Sequence, residues 1–323
     1  MTLRRRDLLK AGAFSIAAAL SQKLHAQTPS SIPVIDAHIH LFDPTRPSGI
    51  PWPEKSDAIL YKPALPDRFK HVTEGLGIRG AIAIECSPLE SDNDWLLSVA
   101  EKNPVIVGVI GDLVPGSPSF GKSLDRLSKN QLFRGIRYGN LWNRNLSTDL
   151  DKPGFIDGLK ALAAAKLVLE SANPDAELIA ALVRTHDRVP DLQIVVDHLP
   201  HAVIPTDAPG KMEYQKNLER LAASPKVLIK LSEIPISVDG KVPLALDVYQ
   251  PRLDDLWNLF GEDRVIFGSD WPNSDTLADY AATFHLAQSY ISTKSKAAQE
   301  KYLWRNSIAA YGWRPRLPDQ PGL

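Results

Sequence analysis

Ionisable residues recur at the ends of apolar stretches in this chain. His38 and His40 close the run Val34 to His40, Glu85 lies at the end of Ala81 to Cys86, and Asp112 ends Val105 to Asp112. Arg137 lies at the end of Phe133 to Tyr138, Glu170 ends Lys166 to Glu170, and His198 ends Gln193 to His198. Lys230 and Ser232 fall in Val227 to Ser232, and Asp270 ends Val265 to Asp270. Charged groups at the ends of buried segments are costly unless they meet in one polar site. His38-x-His40 places two imidazoles on the same face of a strand, because side chains alternate. Such a pair can chelate one divalent ion, or it can simply hydrogen-bond nearby loops. Taken with His198 and Asp270 on other strand ends, it forms a candidate metal site.

The elements that must position these groups are readable from the pattern. The eight runs are rich in Val, Ile and Leu without polar alternation, as expected of strands buried on both faces in a parallel sheet. Helical patterns separate them. Asn173-Pro174-Asp175 predicts a helix start with Asn173 as N-cap, followed by an apolar stripe of Leu178, Leu182 and Val183. Ser91 to Glu101, Tyr214 to Ala223 and Leu253 to Phe260 read likewise, the last stopped by Gly261. Repeated strand–helix units imply right-handed crossovers, and eight of them predict a single closed (β/α)₈ barrel with its site at the C-terminal ends of the strands. An open doubly wound sheet would want a glycine-rich turn after its first strand, and Asp36-Ala37-His38-Ile39-His40 is not one. Two long loops, Phe42 to Pro66 and Pro200 to Gly210, would lie over the site.

Composition narrows the partners. The 37 basic and 38 acidic residues nearly cancel, leaving no basic excess for nucleic acid. A small molecule is the expected partner; oligomeric state is not legible. Cys86 is the sole cysteine, so neither an intrachain disulfide nor a cysteine-based zinc cage can form, and a packed apolar role is expected for it. Residues 1–26 read as an export signal: Arg4-Arg5-Arg6-Asp7-Leu8-Leu9-Lys10, an apolar stretch from Ala11 to Leu20, and Leu24-His25-Ala26 as a cleavage site. The stretch is shorter than the roughly 20 apolar residues of a membrane span. The arginine pair resembles a twin-arginine signal, which implies use of that export machinery and a periplasmic or secreted protein with no membrane segment once mature. A general secretory signal is the alternative. Residues 27–33 read as a linker, and 34–323 as the barrel domain.

Several of these stretches resemble the amidohydrolase superfamily. Val34-Ile35-Asp36-Ala37-His38-Ile39-His40 is similar to its first-strand signature, and Val195-Val196-Asp197-His198 to its histidine strand. Phe267-Gly268-Ser269-Asp270-Trp271-Pro272 resembles its last strand, and Arg305 to Gly312 the closing helix of the amidohydrolase-related branch. Arg134-Gly135-Ile136-Arg137, Asp197-His198 and Lys230-Leu231-Ser232 look most like the sugar and dicarboxylate lactonases. Departures matter too. Arg134 and Arg137 stand on the fourth strand, where many members carry a metal-bridging lysine, and Glu170 stands where a fifth-strand histidine is expected. The resemblance therefore implies at most one divalent ion, zinc or manganese, held by His38, His40, His198 and Asp270, with Glu170 as a further ligand or a sugar contact. Some relatives of this branch work without metal.

The implied reaction is attack of water on a lactone carbonyl, with Asp270 as general base and His198, Arg137 or a metal stabilising the oxyanion. Glu85, Arg137, Glu170, Lys230 and Trp271 are the expected substrate contacts. Each has a structural alternative: Glu170 as an ion-pair partner of Lys230 or Arg137, Arg137 paired with Asp112 or Glu85, and Trp271 and Trp142 as packing. His201 is a loop residue, and His71, His186 and His285 fall in helices without a role. Two rival functions share the same residues: a metal-dependent non-oxidative decarboxylase of an aromatic or unsaturated acid, and a non-catalytic sugar-binding protein.

Overall fold

The computed structural model describes residues 32–322. The expected signal and residues 27–31 of the expected linker lie outside the described residues. Eight parallel strands follow one another around a single sheet in chain order. They are β1 (Val34–His40), β2 (Ile78–Ile84), β3 (Ile106–Gly111), β4 (Phe133–Arg137), β5 (Val168–Ser171), β6 (Gln193–Val196), β7 (Val227–Ser232) and β8 (Val265–Gly268). Helices cross over between consecutive strands, so the chain is a (β/α)₈ barrel.

The expected runs all contain strands; β1 and β7 keep the expected bounds and the other six shift. β2 begins earlier, at Ile78, and Glu85, Asp112, His198 and Asp270 sit just past their strand ends, on the loops. Helix starts shift for a capping reason. Asp175, not Asn173, caps helix Ala176–Arg188, its carboxylate accepting the Leu178 N–H at 2.7 Å. Asn173 is instead left-handed, at φ 56°. Helix Ala208–Ala222 starts well before Tyr214, because Asp207 accepts the Gly210 N–H at 2.8 Å and Pro209 sits in the first turn. The second long loop is correspondingly shorter.

Two apolar layers form around the sheet. One lies between strands and helices. The other gathers Ile35, Ile84, Ile110, Val195 and Ile266 with Trp304, Tyr311 and Trp313 of the C-terminal segment. Side chains from strands all round the barrel can meet only on its inside, so this second layer fills the interior. Ile35 and Ala37 belong to the inner layer and Ile39 to the outer. The pairing of β1 with β2 slips between Asp36 and Ile39, a bulge that changes which face each residue presents. The imidazoles of His38 and His40 therefore point inward by virtue of an irregularity, not of simple alternation.

β1 and β8 close the barrel. The Asp270 N–H donates to His38 O at 2.9 Å, and the His40 N–H to Trp271 O at 2.7 Å. Gly268 leaves room at this seam, since a Cβ there would lie 2.7 Å from that of His38. Asp36 clasps the two strands: Oδ1 accepts the N–H groups of His38 (3.1 Å) and Ser269 (2.9 Å), and Oδ2 accepts the Tyr280 hydroxyl (2.8 Å).

Asp36 is fully buried, and burial outweighs these bonds to push its pKa up to about 6. A carboxyl whose folded pKa is raised contributes most below its unfolded value near 3.8, and that contribution is lost as pH rises through about 6. Asp36→Asn keeps the acceptor on the two amides without the charge. Its denaturant midpoint should gain on that of the parent between pH 4 and 7 and run parallel above. Asp36→Ala orphans three buried donors, at about 1–3 kcal/mol each, and urea unfolding should show the loss at every pH.

Candidate active site

Four side chains converge at the C-terminal mouth. Asp270 Oδ1 lies 3.1 Å from His40 Nε2, 3.3 Å from His38 Nε2 and 3.6 Å from His198 Nε2. Asp270 Oδ2 is held separately by the Asn273 amide at 2.6 Å. His40 Nδ1–H donates to Ile84 O at 3.1 Å, since a carbonyl can only accept. A neutral His40 thus turns its Nε2 lone pair toward a carboxylate oxygen. Lone pairs facing each other in a dry site require a proton or a cation between them. His38, His198 and Asp270 place their ligand atoms within 4.8 Å of one another. Such a nitrogen–oxygen donor set suits one divalent ion.

Burial, then the charge of Lys230, lowers the His38 pKa well below its ordinary value. Burial likewise holds His198 down to about 4, so both rings are neutral at ordinary pH and free to ligate. Burial alone would raise the pKa of Asp270, but the imidazoles, His198 foremost, more than reverse this and hold it well below the carboxylate range. His198 Nδ1 is anchored on Ser232 Oγ at 2.9 Å.

Beneath this cluster lies a fully buried ionic network. Lys230 Nζ sits 2.9 Å from Glu170 Oε1, 3.0 Å from Asp197 Oδ1 and 3.2 Å from His38 Nδ1. Tyr311 donates its hydroxyl to Glu170 at 2.5 Å. Burial and the charge of Asp197 push Glu170 up to about 7. Asp197 would also be raised by burial, yet Lys230 and then His38 hold it well below its usual value.

The expected substrate contacts divide accordingly. Glu170 and Lys230 are fully buried against each other, two enclosed charges in mutual compensation, and are not among the residues that line the cavity. Trp271 is also fully buried, packed on Phe69 with the Arg68 guanidinium 5.1 Å from its ring, and is not among the residues that line the cavity. Arg137 does face the cavity, paired with Glu85 and not with Asp112, which takes Arg144 at 3.0 Å. Cys86 is buried, its thiol pKa pushed far up by burial, as suits a packed residue. His201 is half-buried in the turn Leu199–His201 and does not line the cavity.

The cavity above the cluster has a volume of about 250 Å³. Its wall includes residues without a sequence signal of their own: Trp52, Leu141, Glu233 and Asn273. Only the three-residue offset of Asn273 from Asp270 could have pointed to one of them. Among the described residues, five of the eight non-glycine residues with positive φ lie on this wall: Trp142, Asn173, His198, Glu233 and Asp270. Backbone held in a sparsely populated region, gathered around one cavity, marks a functional site.

Residues 35–313 match the amidohydrolase family. Two curated relatives are L-fucono-1,5-lactonases. That of Burkholderia ambifaria is 29% identical over 74% of this chain and 80% of its own length, and that of Burkholderia multivorans 26% identical over 85% and 94%. A crystal structure of an amidohydrolase from Burkholderia multivorans with bound zinc superposes with a TM-score of 0.74 at 21% identity, covering 87% of this chain and all of that one. With the family matched along nearly the whole barrel, and the inward histidines and aspartate in place, the chain belongs to the amidohydrolase family and is a hydrolase.

Proposed function

We propose that this enzyme opens the ring of a small sugar 1,5-lactone by water attack, with Asp270 moving the proton. The observation that carries this is Asp270 at the floor of a cavity, one oxygen facing three imidazoles and the other pinned by Asn273. The two lactonase relatives support the substrate class.

The chain's own residues account for the proton path. Asp270 accepts a proton from a water in the cavity as the water oxygen attacks the lactone carbonyl. The carbonyl π pair moves onto oxygen, and Arg137, on the wall with its Nη1–H unspent among the described residues, offers that oxygen a hydrogen bond. Collapse breaks the ring C–O bond, and the leaving alkoxide takes the proton back from Asp270, giving a hydroxy acid. Asn273 fixes the carboxylate orientation throughout. His38, His40, His198 and Asp270 would hold one divalent ion, which would acidify the attacking water and polarise the lactone carbonyl. The bound zinc of the structural neighbour supports zinc as that ion, and the same donors accept manganese.

Proton release from L-fucono-1,5-lactone tests this function. Turnover is expected in the parent. Asp270→Asn should lose on the order of 10³-fold in kcat with thermal stability retained, the size of a general-base contribution. Carbon dioxide released from aromatic acids, with no lactone opened, would establish the decarboxylase instead. Exhaustive chelation should depress the lactonase rate, with zinc or manganese restoring it. A rate untouched by a chelator, in protein shown metal-free by elemental analysis, would leave Asp270 and Arg137 as the whole machinery.

A further inference from the structure

We propose that the buried Glu85–Arg137 pair makes the cavity selective for uncharged lactones over lactones bearing a carboxylate, an inference that rests on the lactonase function above. Among the described residues, Arg137 is the one arginine or lysine on the cavity wall. A free guanidinium there would clamp a carboxylate through two parallel N–H bonds. Arg137 instead spends its Nε on Glu85 Oε1, at 2.7 Å, and its Nη2 on the carbonyl oxygen of Glu85, at 2.5 Å. Glu85 is fixed in turn, its Oε2 accepting the Trp142 indole N–H at 3.1 Å and the Ser87 N–H at 2.9 Å. Arg137 and Glu85 are 5% and 4% exposed, so solvent hardly screens the pair. The nearby Arg144 is spent on Asp112.

A substrate carboxylate entering this cavity would lose its hydration and find no unpaired arginine or lysine on the wall. An uncharged ring meets a better match. Arg137 Nη1 makes no hydrogen bond to protein among the described residues, which leaves it for a hydroxyl or carbonyl oxygen. Asn173, Asn273 and Glu233 line the same wall, and the indoles of Trp52 and Trp142 offer apolar surface to a sugar ring. The neutralised arginine also eases departure of the product, itself a carboxylate.

The experiment compares an aldono-1,5-lactone with an aldarolactone carrying one added carboxylate. In the parent, kcat/KM should favour the uncharged lactone by on the order of tenfold or more, the scale of one uncompensated charge in a partly enclosed site. Glu85→Gln frees the guanidinium while conserving shape. It should shift the ratio at least tenfold toward the carboxylated lactone, and added salt should then slow that substrate alone. Adding Arg137→Gln should abolish the gain. A merely structural role for Glu85 would slow both substrates together and leave their ratio unmoved, which would overturn the inference. Calorimetry on the parent with glucarate gives a second check that needs no variant: no saturation is expected at millimolar concentration, and micromolar binding would refute the selectivity. Failure of the parent to open either lactone would refute the proposed function itself.

Discussion

The ammonium of Lys230 has no access to water, and the site above it depends on how that charge is compensated. Three groups from three other strands or strand ends share it: Glu170, Asp197 and His38. Removing one partner from such an arrangement typically costs 3–5 kcal/mol, because the remaining charge stays buried. The network therefore locks β1, β5, β6 and β7 in register at the level where the cavity begins. It also orients His38 from below, so that its other nitrogen meets Asp270. Tyr311 brings the C-terminal helix Asn306–Tyr311 into the same network, which ties the barrel's far end to its chemistry.

Above this network the backbone carries strain. His198, Glu233 and Asp270 all adopt left-handed conformations immediately after their strands, where β-branched or bulky residues would be most disfavoured. Asn273 holds the Asp270 turn from within, and Ser232 of β7 holds His198 from the next strand. A rigid barrel below and strained turns above form a site preorganised before substrate arrives.

Charge pairing along the mouth follows a second rule. Two cations at the mouth are each matched to a carboxylate from another strand end, Arg137 to Glu85 beyond β2 and Arg144 to Asp112 beyond β3. These pairs satisfy desolvation locally. Among the described residues, the cluster of three imidazoles around one carboxylate oxygen has no such cation of its own.

Much of this was legible in the residues alone. Eight apolar runs with ionisable ends, separated by amphipathic stretches, determine a parallel barrel, because such strands can bury both faces only beneath helices. The ionisable ends determine where chemistry must gather, since nowhere else in the barrel can hold charge. The tertiary structure decided the pairings. Nothing in the order of residues tells whether Glu170 answers Lys230 or Arg137, because that depends on which strand ends face each other across the axis. The bulge after Asp36 turned His38 inward against strict alternation. Trp271 and Trp142 are alike as residues, yet one is enclosed by Phe69 and Arg68 while the other lines the cavity, a difference set by turns whose conformation is fixed only when the barrel closes.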